Sequence, residues 1–255
     1  MPTYKTEAII ISYSKFKEAD KIVRAYSPHF GIISAIAKGA RKTKSRFGAR
    51  LEPLSHCEFV LYKGRNLDIV TQIEILESFS KIRENLNKLS HAYVIADLIL
   101  RSGGESDPSK IFLFFLYSLK ELQKTDDTFI RQWLIAFQLR YLILSGYKPV
   151  LDKCSLCGKK TGNLTEKEYV FSFKYGSLLC SDCKEKGISF ITLKNNTLQM
   201  LKDLSGADIR IWNKNIYSDS VKKESQKFLE DYTYYYLESR LKTVDFLKEI
   251  DSVYK

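Results

Sequence analysis

Over the first 76 or so residues, aliphatic and aromatic positions come in short runs broken by turn residues, at about the spacing of an all-β domain. Five runs predict five strands, at Tyr4–Tyr13, Lys21–Ser27, Ile32–Lys38, Ser55–Tyr62 and Leu67–Ile75, with hairpin turns at Pro28–Gly31 and Lys63–Asn66. A long connection joins the third strand to the fourth. Five antiparallel strands with such a connection fit a small barrel of the OB type, which binds nucleic acid across one face and its flanking loops. An SH3-like barrel would show a similar pattern. The long third connection, where OB barrels often place a helix, favours the OB reading.

From Lys81 the period changes. Ile82, Leu86, Leu89, Tyr93, Ala96 and Leu100 follow one another by fours and threes, the spacing of one helical face, and Ser102, Gly103 and Gly104 end the run. Asp107 and Pro108 supply an N-cap and a first-turn proline for a second helix, whose interior IFLFFLYSL is apolar nearly all round and so reads as the centre of a bundle. A third helix is expected from Asp126 or Asp127 through Trp133, Phe137 and Tyr141 to Ser145, stopped by Gly146 and Pro149. Residues 193–204 and 219–242 read as further helices, the tyrosine-rich end of the latter packing its rings on the bundle. The fold class expected is α+β and multidomain: a five-stranded OB barrel over residues 1–80, then a helical domain over 81–255, interrupted at about 150–190 by a cysteine module.

Charge sharpens the N-terminal half of this picture. The chain of 255 residues carries +11, and residues 1–50 hold eleven Lys/Arg against three Asp/Glu, a local balance of +8 that leaves +3 for the rest. The cations concentrate in KGARKTKSRFGAR, where Lys38, Arg41, Lys42, Lys44, Arg46 and Arg50 occur without one acidic side chain. Clustered cations gain free energy by releasing the counterions condensed on a polyanion, so this stretch, held between two strands, is the candidate phosphate-binding surface. Arg24, on a neighbouring strand, is a further candidate. Phe47 inside the run has two readings, a base-stacking ring or an anchor in the core. Lys42-Thr43 resembles the end of a nucleotide-binding phosphate loop, but that loop needs glycine immediately before the lysine and again five positions earlier, where this chain has Arg41 and Ile36. No carboxylate cluster suits two-metal nuclease chemistry. An anionic membrane surface is the competing polyanion, yet no run of about eighteen apolar residues and no signal peptide is present, so a soluble, cytoplasmic protein is expected.

Four of the five cysteines form two Cys-x-x-Cys pairs, Cys154/Cys157 and Cys180/Cys183, separated by 22 residues. In a reducing compartment paired thiols more often bind metal than crosslink, and four thiolates complete the tetrahedron of a closed structural zinc site, with no open position for catalysis. Tyr169–Phe173 reads as a strand and Tyr175-Gly176-Ser177 as the turn that brings the second pair back to the first. A redox dithiol would need only one pair. Cys57 reads as a small core residue, and His29, His56 and His91, which share no ligand spacing, as turn or surface residues.

The order of parts resembles the bacterial recombination mediator RecO family. The resemblance is carried by TEAIIISYSKFKEADKIVRAYSPHFG, by AKGARKTKSRFGARLEPLSHCEFVLYKGRNLDIVTQIEIL, by the cysteine module and by the C-terminal LESRLKTVDFL. Its most specific part is KGAR-x-x-KSR, and Ser177 stands where a second glycine is expected. The resemblance implies a non-enzymatic, nucleoid-associated DNA repair protein that binds single- and double-stranded DNA and anneals complementary strands. It also implies work with RecR and single-stranded-DNA-binding protein to help place RecA on coated DNA, with one zinc ion as a stabiliser. An RNA-binding or ribosome-associated scaffold with the same barrel and zinc ribbon is the alternative of a different class, and a thiol-disulfide enzyme a more distant one.

Overall fold

The computed structural model describes residues 2–101, 107–161, 166–184, 189–206 and 215–238, together with 241, 243 and 247. Contacts divide the chain into two compact units, Met1–Thr125 with Leu241–Lys255, and Asp126–Arg240.

The first unit begins with a closed barrel of five strands: β1 (Thr3–Phe16), β2 (Asp20–Ser27), β3 (Gly31–Ala37), β4 (His56–Tyr62) and β5 (Asp68–Glu77), in the order β1-β2-β3-β5-β4. All pairings are antiparallel except β3 with β5, where Ala35 and Ile36 lie beside Asp68 and Ile69 in parallel and close the cylinder. This is the OB arrangement. β1 is long enough to serve both neighbours because a bulge between Ile10 and Ser12 bends it from one to the other. The backbone groups of Ile10 freed by that bulge are not left unpaired. Its N–H donates to Ser55 O at 2.9 Å, and its carbonyl accepts from Leu54 N at 2.7 Å.

Alternation along the strands sends Ala8, Ile10, Val23, Ala25, Ile33, Ala35, Phe59, Leu61, Val70 and Ile73 inward. The many alanines leave room for Phe59 and for residues entering from the β3–β4 connection. That connection contains one turn of 3-10 helix at Gly48–Leu51, not the α-helix often found there in OB barrels. After the barrel come α1 (Ser80–Arg83), α2 (Leu86–Arg101) and α3 (Pro108–Lys124). The single helical stripe expected from Ile82 onward is therefore interrupted. The Asn85 side chain accepts from Lys88 N at 3.0 Å and caps a new helix, which changes the phase. Leu86 is consequently exposed, and the buried face of α2 is His91, Val94, Ile95, Leu98 and Ile99.

α3 is amphipathic and not the central helix its composition predicted. Phe112 and Phe115 are buried while Leu113 is 60% exposed, and the Phe112 ring lies edge-on to His56 of β4 at 5.7 Å. The helix buried at nearly every position is α4 (Ile130–Leu144) in the second unit, preceded by a 3-10 turn at Asp127–Phe129 that Asp126 caps. His56 and His91 are both buried, against expectation. His56 Nε2 meets Glu7 Oε2 at 2.9 Å and His91 Nδ1 meets Asn87 O at 2.8 Å, so each ring is held by a local partner.

The second unit also holds a four-stranded sheet of β6 (Val150–Cys154), β7 (Glu168–Ser172), β8 (Ser177–Leu179) and β9 (Ile191–Lys194) in the order β6-β8-β7-β9. α5 (Asn195–Gly206) and α6 (Asp219–Leu237) follow. Residues 193 and 194, read as helix from sequence, belong to β9, whose ladder with β7 runs from Ile191 to Lys194. α6 ends at Glu238 in a left-handed conformation of φ 48°. The expected stop at 102–104 lies outside the described residues, as do 239, 240 and 242 of the expected last helix and most of the LESRLKTVDFL segment.

Candidate nucleic-acid interface and metal centre

The β3–β4 connection owes its shape to three apolar residues. Ala40, Phe47 and Leu51 are buried in the barrel core and stopper one end of it. Tight turns link them: Lys42 N donates to Gly39 O at 3.1 Å, Ser45 N to Lys42 O at 2.9 Å and Arg50 N to Phe47 O at 2.8 Å. With the apolar positions held inside, Lys38, Arg41, Lys42, Lys44, Arg46 and Arg50 are all exposed. None of them forms an ion pair among the described residues. Phe47 is 1% exposed, so of its two readings the structure selects the anchor; no base can stack on a buried ring.

The cations are not equivalent. Arg46 lies over the Phe47 ring at 4.9 Å, and Arg50 Nη1 donates to Arg46 O at 2.9 Å. Arg41 Nη1 donates to two carbonyls of the β1–β2 turn, Lys17 O at 3.3 Å and Glu18 O at 2.8 Å. Sequence reasoning missed this engagement because its partners lie 23 and 24 residues away. Lys38, Lys42 and Lys44 carry no such bond among the described residues. Arg24 projects from the outer face in mid-β2, in register with Ser12 and Ser34, about 13 Å along the strand from the turn.

The four paired cysteines converge. Cys154 ends β6, Cys157 follows in its knuckle, and just after β8 Cys180 precedes a 3-10 turn that Cys183 ends. Their sulfurs all lie within 4.8 Å of one another, with Cys157 and Cys180 3.6 Å apart. Four sulfurs at about 2.3 Å from one ion in a tetrahedron stand about 3.8 Å apart, so the set can hold a single metal ion. Backbone turns impose the geometry. Gly158, at φ 74°, lets its N–H reach Cys154 O at 2.9 Å, and Cys154 N donates to Lys159 O at 2.9 Å. Burial opposes charge on Cys154, but backbone N–H groups of Cys180, Cys157 and Leu156 aimed at its sulfur outweigh this and hold the thiol down at about 6. Cys183 is pushed up to about 12 by hydrogen bonds with Cys157 and Cys180 and by burial. A sulfur cluster of this kind carries several thiolates together only with a cation among them.

The hairpin expected between the pairs is present as β7 and β8, and its turn is secured from α6. Gly176 has φ 58°, and a Cβ there would come within 2.9 Å of the Tyr236 hydroxyl and 3.0 Å of that of Tyr232. Tyr236 OH donates to Phe173 O at 2.8 Å, while Phe171 packs edge to face on Phe228 and Tyr232, and Phe173 edge to face on Tyr232. Ser177 is a link of its own: fully buried, its hydroxyl meets Ser155 Oγ of the first knuckle at 2.6 Å. Lys159 and Asp182 join the two knuckles on the outside at 3.0 Å. A groove of about 510 Å³ beside β9 and α6 includes Lys194, Glu224, Lys227 and Asp231 in its lining. Lys194 pairs with Glu224, and Lys227 with Asp231, so these charges are met locally. Cys57 is a core thiol, pushed up to about 12 chiefly by burial, against the lowering field of Arg83. Among the described residues no helix is long and apolar enough to cross a membrane.

Fold and site together define an OB-barrel protein with a cationic β3–β4 connection and a four-cysteine module able to hold a metal. Residues 1–79 match the family model described as "Recombination protein O N terminal" and residues 83–245 the one described as "Recombination protein O C terminal". Among curated relatives named "DNA repair protein RecO", that of Desulforamulus reducens is 32% identical over 100% of this chain and 96% of its own length. That of Thermoanaerobacter sp. is 32% identical over 99% and 100%, and that of Caldanaerobacter subterraneus subsp. tengcongensis 31% over 96% and 98%. The chain belongs to the RecO family of DNA repair proteins.

Proposed function

We propose that the protein is a recombination mediator that acts by binding and not by catalysis. Residues 1–80 form its nucleic-acid-binding domain, which takes single- and double-stranded DNA by the phosphate backbone and anneals complementary strands. Lys38, Lys42, Lys44, Arg46 and Arg50 are the phosphate contacts, with Arg41 in the same connection and Arg24 on the adjoining sheet face. The observation that carries the reading is a row of exposed cations, free of carboxylate partners among the described residues and pinned by Ala40, Phe47 and Leu51. Annealing requires that repulsion between two strands be neutralised while base edges stay free to pair. Backbone contacts from a fixed cationic surface meet both needs.

The metal is one zinc ion on Cys154, Cys157, Cys180 and Cys183. Four thiolates leave no position for a water nucleophile, and when bound the ion ties two knuckles of the sheet together. Family resemblance supplies the remaining roles: with RecR, the protein helps load RecA onto DNA coated by single-stranded-DNA-binding protein, in the cytoplasm at the nucleoid. The test is annealing of complementary strands coated with that protein, with and without RecR. Acceleration by the chain is expected. Failure to anneal, together with preference for structured RNA over single-stranded DNA in competition, would favour an RNA-binding scaffold.

A further inference from the structure

The four cysteines that converge on one point differ in exposure. Cys154 and Cys180 are buried and Cys183 is partly covered, whereas Cys157 is exposed. Its whole loop is in solvent: Ser155, Leu156, Gly158, Lys159 and Lys160 are exposed with it, and the apolar Leu156 side chain leaves that residue 45% accessible. The exposed cysteine is also in contact with one from the other knuckle, since Cys157 Sγ and Cys180 Sγ are 3.6 Å apart. A disulfide bond is about 2.05 Å long, so an approach of about 1.5 Å would join them.

Links that do not pass through the sulfurs keep this pair together. Ser155 Oγ meets Ser177 Oγ at 2.6 Å, and Lys159 meets Asp182 at 3.0 Å. Cys157 lies between Ser155 and Lys159 in the chain, and Cys180 between Ser177 and Asp182, so the two links bracket the sulfur pair. Behind them Cys154 is in register with Leu178 in the β6–β8 pairing, and Val150 N donates to Gly176 O at 2.8 Å. The knuckles therefore stay side by side by strand pairing and side-chain bonds of their own.

We propose that Cys157 is a modification site for hydroperoxides and that Cys180 is the thiol that resolves it. A cysteine that ligates a metal is held as the thiolate, the nucleophilic form. The Cys157 sulfur attacks one peroxide oxygen, the O–O bond breaks and hydroxide leaves, which makes Cys157 a sulfenic acid. The Cys180 thiolate then attacks the Cys157 sulfur; an S–S bond forms, the S–O bond breaks and a second hydroxide leaves. The two sulfurs lose two electrons and the peroxide gains them. Only Cys154 and Cys183 remain as ligands, so the metal is released, and the new bond joins the knuckles in its place. The inference rests on the reading of the four cysteines as a zinc site.

The test is to measure the zinc content of the full chain, add a stoichiometric amount of hydrogen peroxide, follow released metal with a chromophoric chelator and map disulfides by peptide mass spectrometry. Release of about one zinc per chain is expected, with a Cys157–Cys180 disulfide and with Cys57, buried in the barrel, still reduced. Dimedone added early should label Cys157, and dithiothreitol with zinc should restore the metal. Cys157→His keeps four ligands of types that zinc accepts but removes the exposed thiolate, so its metal should be released several-fold more slowly. A disulfide within either Cys-x-x-Cys pair, or zinc and thiols that survive the peroxide, would overturn the proposal. Release from Cys157→His at the wild-type rate would do the same. Should that variant fail to bind zinc, dimedone labelling of the wild type decides, and a label on Cys154 or Cys183 in place of Cys157 counts against the assignment. A chain isolated without zinc defeats the metal reading alone, because disulfide mapping after peroxide tests the cysteine pair in that form as well.

Discussion

Phe47 and Arg46 are neighbours in sequence with opposite surroundings, and substitutions at the two should separate stability from binding. Phe47→Ala removes a ring buried in the barrel and should cost about 3–5 kcal/mol in urea denaturation. A loss under about 1 kcal/mol with a selective DNA defect would return the ring to a stacking role. At Gly176, alanine meets both a φ of 58° and two tyrosine hydroxyls, so Gly176→Ala should destabilise by more than about 1 kcal/mol, and Tyr236→Phe in the same chain should recover part of it. The Cys57 thiol, raised to about 12, stays protonated at neutral pH and should resist alkylation in the native protein. Because its folded value lies above the ordinary thiol value of 9.0, its protonated form contributes stability that is complete below about 9 and lost as pH rises toward 12. Cys57→Ala should flatten that part of the alkaline denaturation profile. These residue-scale facts were legible unevenly. Cys57 lay on the inward parity of a strand, whereas nothing periodic in KGARKTKSRFGAR marks Phe47 as buried, and Arg41 finds its acceptors across a turn more than twenty residues away.

The elements divide in the same way between local and long-range causes. The five strands follow from alternation and turn residues, which act over a few positions, so both were readable; so was the cysteine hairpin, whose spacing is itself the signal. The phase of α2 was not, because one side chain, Asn85, starts a new helix and resets which residues face inward. The central helix was misplaced for a related reason: the all-round apolar run of α3 ends with Leu113 in solvent, while α4 is buried even at Gln132 and Gln138. Ser177 had no signal in the sequence at all, since its hydroxyl partner on Ser155 exists only once the knuckles meet. For the cysteine module the expected outcome is about one zinc per chain, with four thiols protected until a chelator is added and a lower melting temperature after it. Cys157→Ser or Cys183→Ser should lose the metal. Zinc-free protein that keeps its melting temperature and shows four titratable thiols would contradict this assignment.

At the scale of the whole molecule the charge asymmetry, +8 in the first 50 residues against +3 in the rest, acquires a structural cause. The barrel needs three apolar anchors from its longest connection, and the residues between those anchors are free to be cationic. The proposed strand annealing depends on phosphate neutralisation, so the affinity it requires is carried by counterion release and is expected to fall as salt rises. The most direct measurement is the salt dependence of single-stranded DNA binding for the wild type and for the triple variant Lys42→Glu, Lys44→Glu, Arg46→Glu, with unfolding followed on both. The account predicts steep salt dependence in the wild type and near-complete loss of binding in a variant that melts as the wild type does. A folded variant with wild-type affinity and an unchanged salt slope would contradict it.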